Sequence, residues 1–109
     1  MDITENLEAL IAAGRDDATI RFALASRYAA ANDLERAVAH AEVAVAKNPD
    51  YSAAWKLLGR VLGDSGRTPE AIAAYRRGIE VAERRGDQQA AKEMRVFLKR
   101  LMRRPDTNN

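Results

Sequence analysis

The stretch WKLLGRVLGDSGRTPEAIAAY, residues 55–75, decides the fold of this 109-residue chain. Apolar residues recur at steps of three and four on both sides of the turn sequence GDSG at 63–66, and this spacing is typical of amphipathic α-helices. Pro69 suits the first turn of the second helix, because its missing N–H has no intrahelical partner to lose there. The stretch therefore predicts two helices joined by a tight turn.

The pattern of residues 55–75 recurs 34 positions earlier in the chain. Sliding the sequence by 34 aligns Leu24 with Leu58, Ala25 with Gly59, Tyr28 with Leu62, Ala37 with Ala71, Val38 with Ile72 and Val45 with Ile79. The large residues are expected to fill the seam between paired helices, and the small Ala25 and Gly59 to let the helices approach closely. A helix-turn-helix unit that repeats every 34 residues has the period of tetratricopeptide (TPR) repeats.

Individual residues of the two copies also match the TPR motif. The second copy carries Trp55-x2-Leu58-Gly59 followed by Ala71-x3-Tyr75, as the TPR motif does. The first copy keeps Leu24, Tyr28, Ala37, Ala44 and Pro49, with Arg21 at the tryptophan position and Ala41 at the position of Tyr75. The chain thus resembles the TPR family over about residues 18–85. The resemblance implies an all-α fold, a right-handed superhelical solenoid of antiparallel helix pairs with two full repeats.

Amphipathic patterns also flank the two repeats. The N-terminal pattern, with Ile3, Leu7 and Leu10, matches the second helix of a repeat, and the C-terminal one matches a first helix with a shift of about two residues. A solenoid needs such end helices, because each packs one face and presents a polar face to solvent. We expect one domain over residues 1–104, with an N-terminal helix at 1–14, repeats at 18–51 and 52–85, a C-terminal capping helix at 87–104 and a disordered tail at 105–109.

Turn and capping signals give the bounds of the helices. Asp16 or Asp17, and later Asp87, suit the N-cap position, where a side-chain oxygen accepts a free backbone N–H. Gly14 and Gly86 suit the end of a helix, because glycine readily adopts the left-handed conformation found there. The helices after the first are predicted at about 18–31, 34–47, 51–63, 69–85 and 88–102.

The composition favours helices and excludes several classes of site. Alanine supplies 22 of the 109 residues and is the strongest helix former and a poor strand former. The absence of cysteine excludes disulfides, thiolate zinc sites and a cysteine nucleophile. No phosphate-binding loop or dinucleotide fingerprint is present. His40, the one histidine, is predicted on the outward face of the third helix, and a single histidine does not make a typical zinc site. We therefore predict neither an enzyme nor a cofactor.

The formal net charge of +2 hides an uneven distribution. Residues 1–55 carry 5 basic and 9 acidic side chains, whereas residues 56–109 carry 13 basic and 7 acidic ones. The basic excess is largest towards the C-terminus, at Lys92, Arg95, Lys99, Arg100, Arg103 and Arg104. Such an excess is either a solvated helix face or a contact for an anionic partner. Nucleic acid is the less favoured partner, because no exposed aromatic side chains interleave with the cations for base stacking.

The TPR resemblance implies a concave groove lined by the first helix of each repeat, where these proteins hold a peptide or a partner helix. The side chains it places there are Thr19, Phe22 and Ser26 from helix two, Lys56, Arg60 and Asp64 from helix four, and Lys92, Val96 and Lys99 from helix six. Lys56 and Arg60 are four residues apart and share one helix face. With Lys92 and Lys99 they are expected to form a cationic strip for an acidic segment or a terminal carboxylate.

The groove also departs from one well-defined member of the family. Phe22 and Ser26 stand where the chaperone-tail readers carry lysine and asparagine, so the resemblance does not extend to recognition of a chaperone tail. Phe22 is either an exposed anchor for a partner or packs under the N-terminal helix, and the sequence leaves both interpretations open.

These features predict a non-enzymatic adaptor for a protein or peptide partner. Two alternatives are contact with nucleic acid or an anionic surface through the basic C-terminal helix, and a self-associating structural subunit that pairs through Phe97, Leu98, Leu101 and Met102. The chain is expected to be a monomer or a weak homodimer. The start of the chain, MDITE, is acidic where a signal peptide is basic and then apolar. No apolar run reaches the length of a membrane span, so a cytoplasmic location is expected.

Overall fold

The computed structural model of the protein describes residues 2–104, which form six α-helices and no strand. The helices are α1 (Ile3–Ala12), α2 (Ala18–Ala30), α3 (Leu34–Lys47), α4 (Ser52–Asp64), α5 (Thr68–Arg84) and α6 (Gln88–Met102). The six predicted helices are confirmed, and from α2 onwards their ends differ from the prediction by no more than one residue. The predicted tail at 105–109 lies outside the described residues.

Aspartate side chains begin four of these helices. The carboxylates of Asp17 and Asp87 each accept the backbone N–H three residues further on, at 2.9 Å and 3.1 Å. Each bond satisfies one of the N–H groups that have no partner in the first turn of a helix. At the other ends, Gly14 and Gly86 have φ values of +96° and +77°, the left-handed conformation predicted for a helix stop.

The helices are arranged so that α2, α4 and α6 lie side by side. The most extensive contacts join α2 with α3, α4 with α5 and α5 with α6, while smaller ones join α2 with α4 and α4 with α6. The core between the helices includes the buried side chains of Leu24, Ala25, Ala37, Val38, Leu58, Val61, Leu62, Ala71, Tyr75 and Val81. The chain is therefore an α-solenoid whose aligned repeat positions form the core, as the 34-residue period predicts.

Two glycines set how closely the helices approach. A Cβ atom on Gly59 would lie 2.8 Å from the ring of Tyr75, and one on Gly78 would lie 2.5 Å from Sδ of Met94 and 2.8 Å from Cβ of Trp55. Packed interiors have no room for such overlaps, so a side chain at either position would push α5 away from its neighbours. The role predicted for Gly59 is confirmed, whereas Gly78 plays a similar part that the repeat alignment does not predict.

The last helix, α6, closes the C-terminal end of the core. Leu101 is buried, Phe97 and Leu98 are partly buried against the core, and Met102 is 46% exposed. Of the four residues predicted to form an apolar patch for self-association, Leu101 is therefore unavailable, and Phe97 and Leu98 are only partly accessible.

Candidate interaction groove

A cavity of about 570 Å³ opens between α2, α4 and α6. Its lining combines two phenyl rings, smaller apolar and polar side chains and two cations, at Phe22, Ser26, Ala30, Ala53, Lys56, Leu57, Arg60 and Phe97. The lining residues of α2 and of α4 are mostly three and four positions apart, so each helix presents one face to the cavity. We use the name groove for this cavity together with the smaller cavity that continues it, which is described below.

Four of the nine residues predicted to line the groove meet in this cavity, and they are Phe22, Ser26, Lys56 and Arg60. Thr19 is exposed near the start of α2 and does not line the cavity. Lys92 and Lys99 are exposed as well, and they too lie outside the lining of the groove.

The register of α6 explains why the two lysines lie elsewhere. α5 has 17 residues where α3 has 14, but the turn before α6 is one residue shorter than the turn before α4, so α6 begins 36 positions after the start of α4. Lys56 meets Glu93, 37 positions further on, rather than the 36 expected from a two-residue shift of the 34-residue repeat. One residue corresponds to a turn of about 100° around a helix. This register corrects the predicted placement of Lys92, Val96 and Lys99, which lie off the groove, and brings Glu93, Phe97 and Arg100 to it.

An ion pair crosses the groove between α4 and α6. Nζ of Lys56 lies 2.8 Å from Oε1 of Glu93, and Gln89 donates to the other carboxylate oxygen at 3.4 Å. The hydrogen bond from Lys56 lowers the pKa of Glu93 below its ordinary value. Lys56 is therefore a paired cation. The sequence analysis missed its partner, although Glu93 stands out as the single acidic residue of α6.

A second cavity of about 200 Å³ continues the groove between α4 and α6, sharing Arg60 and Phe97 with the first. Its other lining residues are Gly59, Gly63, Asp64, Tyr75, Arg100, Leu101 and Arg104. Arg104 donates to the carbonyl of Gly63 at 3.1 Å, and Cζ of Arg100 lies 5.7 Å from the centre of the Phe97 ring. Three guanidinium groups thus surround a cavity whose lining holds one carboxylate. This end of the groove favours an anionic group.

Aromatic pairs support the groove at both sides. Phe22 packs on Tyr51 with ring centres 5.0 Å apart and planes at 39°, and Phe97 packs on Tyr75 at 5.9 Å. Burial raises the pKa of Tyr75 to about 12, so its hydroxyl stays protonated at neutral pH. Of the two interpretations of Phe22, the structure favours the groove side, where the ring is half-buried and lines the cavity.

The repeat architecture agrees with what is known of similar proteins. The family model for the tetratricopeptide repeat matches residues 5–50 and 22–90 of the chain, which together include the groove helices α2 and α4. The chain belongs to the tetratricopeptide repeat family. A TPR repeat-containing protein of Pseudomonas aeruginosa is 44% identical over 99 residues, which cover 91% of this chain and 94% of that protein.

Two solved structures share the fold of this TPR chain. The solution structure of a protein from Bordetella parapertussis matches it with a TM-score of 0.81 and 43% identity, over 94% of this chain and 90% of that one. The crystal structure of a tetratricopeptide repeat domain protein from Salinibacter ruber matches with a TM-score of 0.73 and 32% identity, over 79% of this chain and 96% of that one.

The histidine of this TPR protein is part of its packing. The ring of His40 stacks on Tyr28 with centres 5.5 Å apart, and Nδ1 lies 3.0 Å from a guanidinium nitrogen of Arg21. The side chain is 13% exposed, which corrects its predicted place on the outward surface of α3. Burial lowers the pKa of His40 below 6.5, so the neutral ring can accept the hydrogen bond from Arg21.

TPR proteins are generally non-enzymatic scaffolds for protein interactions. In residues 2–104, no group of three or more histidine, aspartate and glutamate side chains is arranged to hold a metal ion. Within the same residues, no helix combines the length and the apolar character that crossing a membrane requires.

Proposed function

We propose that this TPR protein is a non-enzymatic adaptor that holds an extended segment of a partner protein in the groove of α2, α4 and α6. The observation that carries the proposal is the division of the groove into an apolar part and a cationic part. Phe22, Leu57 and Phe97 line the larger cavity, Arg100 and Arg104 line the smaller one, and Arg60 stands where the two cavities meet. A segment with an apolar side chain followed by an acidic one matches this order.

The charges refine which groups recognise the partner. Lys56 is neutralised by Glu93 at 2.8 Å, whereas Arg60 and Arg100 form no ion pair with another described residue. A charge-assisted hydrogen bond contributes about 1.5–3 kcal/mol, so Arg60 and Arg100 are the groups expected to select an acidic side chain. Lys56 holds α6 against α4 and keeps the groove at its observed width.

Peptide binding followed by NMR tests the proposal. The probes are a pool of peptides with one aromatic residue next to two aspartates and a matched pool with lysines in place of the aspartates. The acidic pool should shift the amide signals of residues around Phe22, Arg60 and Phe97, and Arg60→Glu should weaken its binding by about tenfold or more. Lys99→Glu, an equal charge change outside the groove, serves as the control. Equal binding of the lysine pool, or full binding by Arg60→Glu, would contradict the proposal.

A further inference from the structure

The two ends of the solenoid carry opposite charge. Residues 2–17, which include α1, hold five acidic side chains and one basic one, for a net charge of −4. Residues 88–104, which include α6, hold six basic side chains and one acidic one, for a net charge of +5. The described chain measures 43 × 30 × 18 Å, and these charges lie in and beside the first and the last helix of an elongated molecule.

The same two helices carry the large apolar side chains that stand out as exposed among residues 2–104. They are Ile3 at 57% exposure on α1, and Val96 at 44% and Met102 at 46% on α6. The layers between bury or half-bury their large apolar side chains. Among residues 2–104, the exposed large apolar side chains are therefore confined to the two end helices.

The outer face of α6 is basic, and its cations are available. Lys92, Val96, Lys99 and Arg103 follow at steps of three and four and share one face of the helix. All four are exposed, and the three cations form no ion pair with another described residue, whereas the neighbouring Arg95 pairs with Glu83.

The outer face of α1 is acidic and built from short side chains. Asp2, Glu5, Asn6 and Ala9 are exposed along one side of the helix, and none of the ten residues of α1 is buried. The carboxylates of Asp2 and Glu5 accept hydrogen bonds from each other's backbone N–H, which holds both charges at the start of α1.

We propose that the outer face of α1 in one copy of the chain docks against the outer face of α6 in a second copy. A solenoid grows by stacking one helix layer on the next. These two end faces complement each other in charge, and the helices that carry them hold the exposed side chains of Ile3, Val96 and Met102. The contact joins different surfaces of the two copies, so it leaves a free α1 face and a free α6 face and can continue beyond two copies.

The size of the contact sets its strength. A helix of 10 residues is about 15 Å long, and such a contact buries less than the roughly 1,200 Å² of stable complexes. The association is therefore weak and needs a high protein concentration. It also weakens as salt rises, because the pairing charges are exposed to solvent.

Analytical ultracentrifugation at low and high salt tests this arrangement with two charge-reversed variants. The α6 variant is Lys92→Glu/Lys99→Glu. The α1 variant is Glu5→Lys/Ala9→Lys, which makes this face basic and keeps the Asp2 carboxylate that accepts the backbone N–H of residue 5. At low salt the mass of the natural chain should rise with concentration past that of two copies. In each variant alone, the dissociation constant for self-association should be at least about tenfold higher.

Mixing the two variants gives the sharpest result. The basic α1 face of one then meets the acidic α6 face of the other, and the mixture should associate more strongly than either variant alone. A monomer at every concentration and salt, a mass that stops at two copies with no effect of the α1 variant, or a mixture that fails to associate would each overturn the proposal. Binding of RNA or anionic vesicles by a chain that stays monomeric, lost in the α6 variant, would instead assign this face to those partners.

The groove provides a control that separates the two proposals. Arg60→Glu changes a residue of the groove and should leave self-association unchanged. The α6 variant should bind the acidic peptide pool as the natural chain does. Loss of association in Arg60→Glu would overturn docking through the end faces, whatever the outcome for peptides.

Discussion

The end helices α1 and α6 are attached to the same solenoid by different forces. α6 buries Ala91, Met94 and Leu101 and packs along the length of α5, whereas α1 buries no residue and has limited contact with α2. Burial of a large apolar side chain stabilises a contact by about 1.5–3 kcal/mol. α6 therefore depends on the hydrophobic core, and α1 on other contacts.

Polar contacts attach α1 to the next two helices. The hydroxyl of Tyr28 donates to Oε1 of Glu8 at 2.8 Å, and Nε2 of His40 lies 3.5 Å from the same oxygen. Arg21 joins His40 to Asp16, whose two oxygens accept from the guanidinium at 2.7 Å and 2.8 Å. An intramolecular hydrogen bond contributes about 0.5–1.5 kcal/mol. The comparison teaches that α1 can open locally at a free-energy cost well below that of unfolding the core.

The largest expected effect comes from truncating the buried anchor of α6. Met94→Ala removes a side chain with no exposed surface and should lower the free energy of unfolding by about 2–5 kcal/mol. The matched change in α1, Leu10→Ala, removes a half-buried side chain and should cost about 1 kcal/mol or less. Urea denaturation followed by circular dichroism measures both. Equal losses would show that α1 is held by burial after all.

A smaller effect is expected from removing one hydroxyl at the attachment of α1. Tyr28→Phe deletes the bond to Glu8 and should cost about 0.5–1.5 kcal/mol, with faster hydrogen exchange confined to α1. Tyr51→Phe is the control, since its ring packs on Phe22 away from Glu8. Faster exchange throughout the chain, or none in α1, would be inconsistent with local attachment through Tyr28.

The smallest expected effect is a dependence of stability on pH that arises from His40. Burial lowers the pKa of His40 in the folded chain below the value of about 6.5 in the unfolded chain. The unfolded state therefore binds more protons in this range, and the contribution of His40 is complete above pH 6.5 and lost as pH falls through the folded pKa. The hydrogen bond from Arg21 lowers the pKa of Asp16. The contribution of Asp16 to stability is likewise lost as pH falls, but at more acidic pH than that of His40.

Unfolding by urea at several values between pH 7.5 and 5 measures this slope. His40→Gln keeps a group that can accept from Arg21 but does not titrate, and it should flatten the slope between pH 6.5 and 5. The same slope in the variant would assign the dependence to other groups.

Much of the fold could be predicted because the residues that specify it either act on their own stretch of backbone or recur in both repeats. Asp17 and Gly86 mark helix ends through their own backbone preferences, and the 34-residue offset identifies Leu24 and Leu58 as equivalent core positions. Gly59 is recognisable for the same reason, since the motif has a small residue at this position to let the paired helices approach closely.

The groove could be predicted only in part. The faces of α2 and α4 follow from the repeat, and Phe22 and Arg60 line the cavity as expected. α6 lies outside the regular repeat, and the residues of α6 that face α4 depend on how this helix is rotated against α4. Repeat alignment therefore gave no means of choosing Glu93 and Phe97 over their neighbours.

The sequence by itself determined the number of helices, their ends, the pairing of α2 with α3 and of α4 with α5, and the charge difference between the two halves. These follow from periodicity, capping residues and composition, which act over a few residues or recur. Tertiary structure alone decided which face of α6 meets α4, that Lys56 is paired, and that α1 is attached by Tyr28, His40 and Glu8. Each of these depends on the rotation of one helix against another, which distant side chains set through packing and which no local pattern records.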